Sequence, residues 1–208
     1  FNLKEKDITI IPGSGVKIEK NLPKQRNLDS KNVLLPSRLL LEKGIIEYVE
    51  AAKIIKNDFK EWNFLIAGTA DYNNPSAIGS KELKNWEDQG LIIWKGYVND
   101  LDELYSNCSI VCLPSYREGF PKCLIEAASY GLPVVTTNVP GCRDAILPDK
   151  TGLLVNPKDA KSLADGLKKL IVDNERRKIY GDNGYNLAKE KFNISDVIEK
   201  TLKVYNKL

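Results

Sequence analysis

The stretch Ile110–Gly131, which reads IVCLPSYREGFPKCLIEAASYG, decides the fold class of this chain. Its opening apolar run predicts a buried strand, and the small and apolar residues of its second half predict a buried helix. The turn Glu118–Lys122 joins the two, and Pro121 suits the first helical position because its missing N–H would have no partner there. We expect the free amides of the next three residues to point out of the helix start. Unpaired amides and the positive pole of a helix attract phosphate, so this turn predicts an anion site.

Two glutamates, Glu118 and Glu126, flank this helix start. Glu118 falls on the turn, whereas Glu126 falls inside the helix among residues suited to burial. A buried carboxylate is costly unless it is hydrogen-bonded, and a sugar hydroxyl would satisfy it well. Two alternatives remain. The pair could be the acid and base of a glycosidase, although glycosidases need no phosphate-binding turn, or Glu126 could be a satisfied core acid.

The wider chain alternates apolar runs with helical patterns, which predicts an α/β fold with a doubly wound parallel sheet, Rossmann-like, followed by C-terminal helices. A ligand crevice is then expected at the carboxyl ends of the strands. The predicted strands are Ile8–Ile11, Asn32–Pro36, Phe64–Ala67, Leu91–Trp94, Ile110–Leu113, Val134–Thr136 and Gly152–Val155. The predicted helices are Ile45–Lys56, Lys81–Asp88, Leu101–Asn107, Pro121–Tyr130, Cys142–Leu147, Lys158–Val172, Glu175–Glu190 and Ser195–Asn206. The polar segment Asp71–Gly79 is interpreted as a surface insertion.

A pair of cations, Arg38 and Lys43, follows the strand at Asn32–Pro36. They straddle a strand-to-helix loop and could close on one anion from two sides. Arginine offers a planar fork for phosphate oxygens, and lysine offers a mobile point charge. The alternative is a solvated loop with a lysine at a helix start.

Composition excludes several classes of function. The chain has 208 residues, a formal net charge of +3 and no histidine, so neither nucleic acid nor a Ser-His or Cys-His nucleophile is expected. The four cysteines form no Cys-x-x-Cys pair, which argues against a zinc site and predicts reduced, mostly buried thiols. No apolar run approaches the roughly 20 residues of a membrane-spanning helix, and no signal-peptide pattern is visible, so a cytoplasmic location is expected.

The segment Asp100-Leu101-Asp102 resembles the Asp-x-Asp metal box of many sugar transferases. It also fits a helix start, because Asp100 with Glu103 makes a capping box before an apolar pair. We favour the cap and expect neither a metal nor a cofactor.

Taken together, these motifs resemble the donor-binding half of the retaining glycosyltransferases of family 4, which have the GT-B fold. The likeness covers nearly the whole chain, and one departure from the family pattern is Val16-Lys17, where Val-Asp is usual. The motifs that carry it are Ile11–Val16 (IPGSGV), Leu113–Pro121 (LPSYREGFP), Glu126–Ala128 (EAA), Gly131–Thr137 (GLPVVTT), Val139–Asp144 (VPGCRD) and Thr151–Val155 (TGLLV).

The resemblance implies a role for each candidate residue. Arg38 and Lys43 would hold the donor diphosphate, Glu126 the ribose hydroxyls, and Glu118 a hydroxyl of the transferred sugar. Gly68 would line the crevice, and the loop at Tyr97 and Val98 would grip the nucleotide base. Backbone amides around the helix start would contact the sugar and the β-phosphate, and the residues there are Gly119, Phe120, Pro121, Lys122, Cys123 and Leu124.

The resemblance also implies that residues 1–208 are a single C-terminal donor domain whose N-terminal, acceptor-binding lobe is absent. The function implied is transfer of a sugar, with retention, from a nucleotide sugar that is commonly UDP-linked. A glycan or lipid-linked acceptor in bacterial surface polysaccharide synthesis is expected, with peripheral membrane association of the full-length protein. Alternatives are a sugar-nucleotide epimerase of the same fold and a non-catalytic nucleotide-binding module.

Overall fold

The carboxyl ends of parallel strands define one edge of this protein. The computed structural model describes residues 8–11, 13–18, 26–71 and 73–206. Six parallel strands make one sheet in the order β3-β2-β1-β4-β5-β6. The strands are β1 (Asn32–Pro36), β2 (Asn63–Ala67), β3 (Ile93–Trp94), β4 (Ile110–Leu113), β5 (Val134–Thr137) and β6 (Gly152–Val155).

Helices cover both faces of this sheet, as its almost wholly apolar strands require. The helices are α1 (Ile45–Lys56), α2 (Ser80–Asp88), α3 (Leu101–Ser106), α4 (Lys122–Ser129), α5 (Ala160–Val172), α6 (Asn174–Lys191) and α7 (Ile194–Tyr205). Helices α1, α2 and α5 contribute to the core on one face. Helices α3, α4 and α6 contribute to the core on the other face.

The strand order reverses between β1 and β4, which are adjacent and in register at Val33–Ile110 and Leu34–Val111. The connections from these two strands leave toward opposite sides. A crevice therefore opens beyond their carboxyl ends, and ligands of doubly wound sheets bind at such a switch point. The loops that follow β1 and β4 carry Arg38, Lys43 and Glu118.

Most predicted elements lie within one or two residues of the observed ones, but the predicted strand at Ile8–Ile11 is wrong. This segment pairs with no described strand, and Ile10 is 84% exposed. The residues Ile-Thr-Ile favour a strand, but among the described residues this segment has no neighbouring strand with which to form a sheet. The predicted helix at Cys142–Leu147 is also wrong, because only a 3₁₀ turn at Arg143–Ala145 forms there.

Two helix starts lie later than predicted. Pro121 is the N-cap of α4 and has extended backbone angles (φ −73°, ψ 113°), so the helix begins at Lys122. Helix α5 begins at Ala160 because the Asp159 side chain caps it by accepting a bond from the Ser162 amide.

The segment Asp71–Gly79 is more than a surface insertion. Ile78 is 1% exposed, and its amide donates to the Leu39 carbonyl at 2.9 Å. Ala77 forms an antiparallel bridge with Leu40. This loop thus fixes the chain that leads from β1 into the crevice.

Candidate functional site

The two loops at the switch point are tied to each other by backbone contacts. The carbonyl of Glu42 accepts bonds from the Ser115 hydroxyl (2.9 Å) and the Tyr116 amide (2.8 Å). Gly44 has φ +73°, and a Cβ there would lie 2.1 Å from the Pro114 carbonyl oxygen. Only glycine fits this close approach, which brings the loop after β1 against the loop after β4.

Lys43 and Glu118 meet in the crevice between these loops. A 3₁₀ turn at Leu41–Lys43 aims the lysine, whose Nζ donates to Glu118 Oε1 at 2.6 Å. The two side chains are only 16% and 13% exposed. The structure thus brings together a residue predicted to bind the diphosphate, Lys43, and the residue predicted to bind the sugar, Glu118. The two form a direct ion pair.

Arg38 lies at the same carboxyl edge but is exposed. A hydrogen bond from Ser76 is the main cause that lowers the pKa of Glu42. The positive charges of Lys43 and Arg38 lower the pKa of Glu42 to a smaller extent. The Ser76 hydroxyl donates to Glu42 at 2.7 Å. The two cations therefore share the edge, with Lys43 inside the crevice and Arg38 at its rim.

The start of α4 differs in one respect from the sequence expectation. The amide of Leu124 is not free, because it donates to the Pro121 carbonyl at 3.1 Å. An N-cap carbonyl that accepts the first bond of the helix engages this amide. The Leu124 amide is therefore removed from the predicted anion site.

The turn before α4 is supported by two neighbouring loops. Gly141, with φ +78°, lies so close that a Cβ would be 2.3 Å from the Gly119 carbonyl oxygen. On the other side, Phe120 packs edge-on against Phe192 at 5.5 Å between ring centroids, and it covers Gly13. Phe120 therefore anchors the turn through its ring.

Glu126 is already hydrogen-bonded within the protein. Its Oε2 accepts from the Tyr105 hydroxyl at 3.2 Å, and its Oε1 lies 3.3 Å from Lys122 Nζ. These contacts agree with the alternative that protein groups satisfy this acid. Each oxygen of a carboxylate can accept a further bond, so the group remains able to bind hydroxyls.

Cys123 lies near both glutamates. Burial is the main cause that raises the pKa of its thiol, and the charges of Glu118 and Glu126 raise it further. The charges of both carboxylates thus reach Cys123, although of the two only Glu126 lines the neighbouring cavity between α3 and α4.

A cavity of about 300 Å³ opens beside Glu126, between α3, α4 and the segment that contains Gly15. The glycine turn near the N-terminus therefore reaches the site even though it departs from the family pattern. The lining residues are Gly15, Val16, Lys17, Leu101, Asp102, Tyr105, Lys122, Glu126, Tyr130 and Ile194.

The other residues predicted to bind the donor, Gly68, Tyr97 and Val98, follow strands β2 and β3. Gly68 is held against Ser37, where a Cβ would lie 1.9 Å from the carbonyl oxygen. Tyr97 is 73% exposed. Val98 lines a separate groove of about 420 Å³ beside α3, not the cavity at Glu126. Neither Tyr97 nor Val98 is among the residues that line the cavity at Glu126.

The two aspartates of the Asp100-Leu101-Asp102 segment have other partners. Asp100 caps α3 by accepting from the Glu103 amide at 3.0 Å, as predicted. Asp102 accepts a hydrogen bond from the Tyr130 hydroxyl. In the part of the chain that the structure describes, no three cysteine or acidic side chains are grouped as they would be around a metal ion.

The cysteines are unpaired and largely buried, as predicted: Cys108, Cys112 and Cys142 are buried and Cys123 is partly so. None of the helices in the described ranges has both the length and the apolar content needed to cross a bilayer.

Comparisons with known proteins decide the family. The family model "Glycosyl transferases group 1" matches residues 17–187. The chain belongs to this family. It is 31% identical, over all of its length, to the N,N'-diacetylbacillosaminyl-diphospho-undecaprenol alpha-1,3-N-acetylgalactosaminyltransferase of Campylobacter jejuni, of which it covers 56%. It is 30% identical to the capsular polysaccharide biosynthesis glycosyltransferase CapM of Staphylococcus aureus, over 98% of the chain and 56% of CapM.

The solved structures agree on the fold. Anabaena Alr3699/HepE in complex with UDP superposes with a TM-score of 0.84 at 20% identity, over 96% of this chain and 58% of that one. The predicted fold, one lobe of a GT-B glycosyltransferase, is confirmed. The group 1 chain spans about half the length of the curated relatives that it matches.

Sequence reasoning missed Tyr105, Tyr130 and Gly141 as parts of this site. A buried tyrosine needs a partner for its hydroxyl, so Tyr105, in the apolar pair that follows the Asp100 cap, was a readable signal. Gly141 carried no such signal, because its close contact with Gly119 depends on how the loops after β4 and β5 meet.

Proposed function

We propose that this chain binds the nucleotide sugar, most simply a UDP-sugar, of a retaining group 1 glycosyltransferase. The observation that carries this proposal is the meeting of Lys43 and Glu118 at the switch point, beside the start of α4. A cation, an acid and free helix-start amides in one crevice match the diphosphate and the sugar hydroxyls of such a donor. We propose that the whole enzyme transfers the sugar to a glycan or lipid-linked acceptor.

The diphosphate would be held by Lys43 and Arg38 together with the amides of Lys122 and Cys123. Negative charge develops on the leaving diphosphate when the bond to the sugar breaks. Preorganised donors that face this charge stabilise the transition state, and losing one of them typically lowers the rate by roughly 10²–10³. This mechanism calls on no metal ion.

The ion pair of Lys43 and Glu118 would open when the donor binds. Lys43 would then pair with the diphosphate. The Glu118 carboxylate, released from the lysine, would accept a hydrogen bond from a hydroxyl of the sugar. Glu126 would bind the ribose from inside the cavity at α4.

The choice of UDP and of the acceptor is supported by the relatives. HepE was solved with UDP. The Campylobacter relative is named for transfer to a diphospho-undecaprenol glycan, and CapM for capsular polysaccharide synthesis. We therefore propose a role in bacterial surface or lipid-linked glycan synthesis, in which the acceptor binds a second lobe and the full-length protein works at the inner face of the membrane.

Calorimetry with UDP tests the donor site. We expect wild-type chain to bind UDP and Lys43→Ala to bind it about tenfold or more weakly, because a charge-assisted bond to phosphate is lost. Lys60→Ala is the matched control, since this exposed lysine lies between α1 and β2 at the opposite edge of the sheet. Equal affinity in all three proteins would contradict the proposal.

Product analysis with the full-length protein tests the reaction. With a labelled UDP-sugar and a lipid-linked acceptor, we expect a glycoside whose anomeric configuration matches that of the donor. Inversion would refute the retaining mechanism, and a changed sugar nucleotide formed without acceptor would identify an epimerase.

A further inference from the structure

Glu126 has two partners within the protein, and they differ in how exposed they are to solvent. Lys122 is 62% exposed, so its ammonium can leave the carboxylate for water or for phosphate. Tyr105 is 1% exposed, and its hydroxyl lies 3.2 Å from Glu126 Oε2 and 3.4 Å from the Cys123 carbonyl oxygen. The buried tyrosine is thus the partner of the carboxylate whose position the core fixes.

Tyr105 is itself fixed by a second tyrosine. Its ring stacks on Tyr130 with a centroid separation of 5.0 Å and an interplanar angle of 16°. The Tyr130 hydroxyl donates away from Glu126, to Asp102. Burial raises the pKa of Tyr105 well above its usual value of 10.0, with Cys123 and Glu126 adding to it, so the phenol keeps its proton and remains a donor.

We propose that Tyr105 is a positioning residue that aims the Glu126 carboxylate at the 2′ and 3′ hydroxyls of the ribose and so makes the site prefer ribonucleotides. This role rests on the proposed function. A carboxylate held in one rotamer offers two acceptor oxygens to the two O–H donors of a cis-diol. A 2′-deoxyribose leaves one of those acceptors without its partner, and sites built around a substrate hydroxyl reject analogues that lack it.

The test compares UDP with 2′-deoxy-UDP by calorimetry on the wild-type chain and on Tyr105→Phe, which keeps the stacked ring and removes only the hydroxyl. We expect wild-type protein to prefer UDP by about tenfold, since the bond lost involves a charged acceptor. Tyr105→Phe should lower this preference to about threefold or less, and Glu126→Gln should reduce it further.

Tyr48→Phe is the matched control, because it also removes one buried tyrosine hydroxyl, which here donates to the Val33 and Leu65 carbonyls away from the site. It should keep the wild-type preference. Lys122→Met removes the other partner of Glu126 and shows whether that partner, and not Tyr105, sets the preference.

The outcomes distinguish a failure of the proposed function from a failure of the role of Tyr105. If wild-type protein binds neither nucleotide, the proposed function falls and this inference with it. If UDP binds and Tyr105→Phe keeps the full preference for ribose, the inference alone is overturned. It is equally overturned if Lys122→Met, and not Tyr105→Phe, removes the preference.

Discussion

At the scale of single residues, the ion pair of Lys43 and Glu118 holds two charges in a largely buried place. Without a ligand, a mostly buried lysine needs a counter-charge, and Glu118 supplies it at 2.6 Å. Breaking such a pair by deleting one partner is unfavourable because the other charge is left uncompensated. In the proposed function, a diphosphate replaces Glu118 as that counter-charge when the donor binds.

Glu118→Gln should therefore strengthen the binding of UDP, which carries no sugar for Glu118 to hold. The variant removes both a competitor for Lys43 and a negative charge close to the diphosphate. We expect an increase in affinity of about three- to tenfold, measured by calorimetry at moderate ionic strength.

The matched control for this variant is Glu61→Gln, which removes an exposed carboxylate from Lys31 at 3.6 Å on the opposite edge of the sheet. Its affinity for UDP should equal that of the wild type. A Glu118→Gln protein that binds UDP more weakly than wild type would show that Glu118 mainly holds Lys43 in place.

The contacts between these side chains could not be predicted from the sequence. Lys43 and Glu118 are separated by 75 positions, and no local pattern records that they touch. The bond between Tyr105 and Glu126 depends likewise on the packing of α3 against α4. Side-chain chemistry is local and can be read from the sequence, whereas the pairing of side chains across elements follows from the tertiary fold.

At the scale of elements, the turn before α4 is shaped by a glycine from another loop. Gly141 leaves room for the carbonyls of Glu118 and Gly119, which a Cβ would approach to 2.6 Å and 2.3 Å. These are backbone atoms, so a side chain at Gly141 must push the turn itself. The geometry of the helix start therefore depends on the loop after β5.

Gly141→Ala should lower both the stability and the affinity for UDP. The clash adds about 1–3 kcal/mol to the strain of a left-handed backbone. Gly90→Ala is the matched control, since Gly90 also has a positive φ (+67°) but no atom lies within 4 Å of its added Cβ. Urea denaturation and calorimetry on both variants measure the difference.

We expect Gly90→Ala to lose about 1–2 kcal/mol through backbone strain alone and to bind UDP normally. Equal destabilisation of the two variants, with unchanged UDP affinity in both, would mean that the turn before α4 adapts to a larger residue at position 141.

The elements themselves were largely readable from the sequence. Strands β1 and β6 and helix α1 match their predicted bounds, because buried parallel strands are continuous apolar runs with clear ends. The failures, at Ile8–Ile11 and Cys142–Leu147, are segments whose local pattern suggests an element but which lack the necessary partner or length. Tertiary context decides such short segments.

At the scale of the whole molecule, burial places many weak acids in the two cores. The thiols of Cys108, Cys112, Cys123 and Cys142 all have a pKa raised by burial, to about 12 for Cys108. Burial likewise raises the pKa of Tyr48 and Tyr105 well above 10.0. These groups keep their protons in the folded protein at a pH where the unfolded chain would release them.

The free energy of unfolding should therefore fall at alkaline pH. Below the usual thiol pKa of 9.0 both states hold the protons, so the contribution to stability is complete. Above it the unfolded chain ionises first and is stabilised, by about 1.4 kcal/mol per pH unit for each thiol that the fold keeps protonated. Urea denaturation under reducing conditions between about pH 8 and about pH 10.5 measures the slope.

Cys108→Ala separates this effect from general alkaline damage. The variant loses packing equally at every pH, but it has one thiol fewer to titrate, so its stability should fall less steeply than that of the wild type above about pH 9. The difference between the two slopes should approach that of a single proton. Parallel curves for the two proteins would show that Cys108 already ionises within the folded chain, and that the core beside α3 admits water.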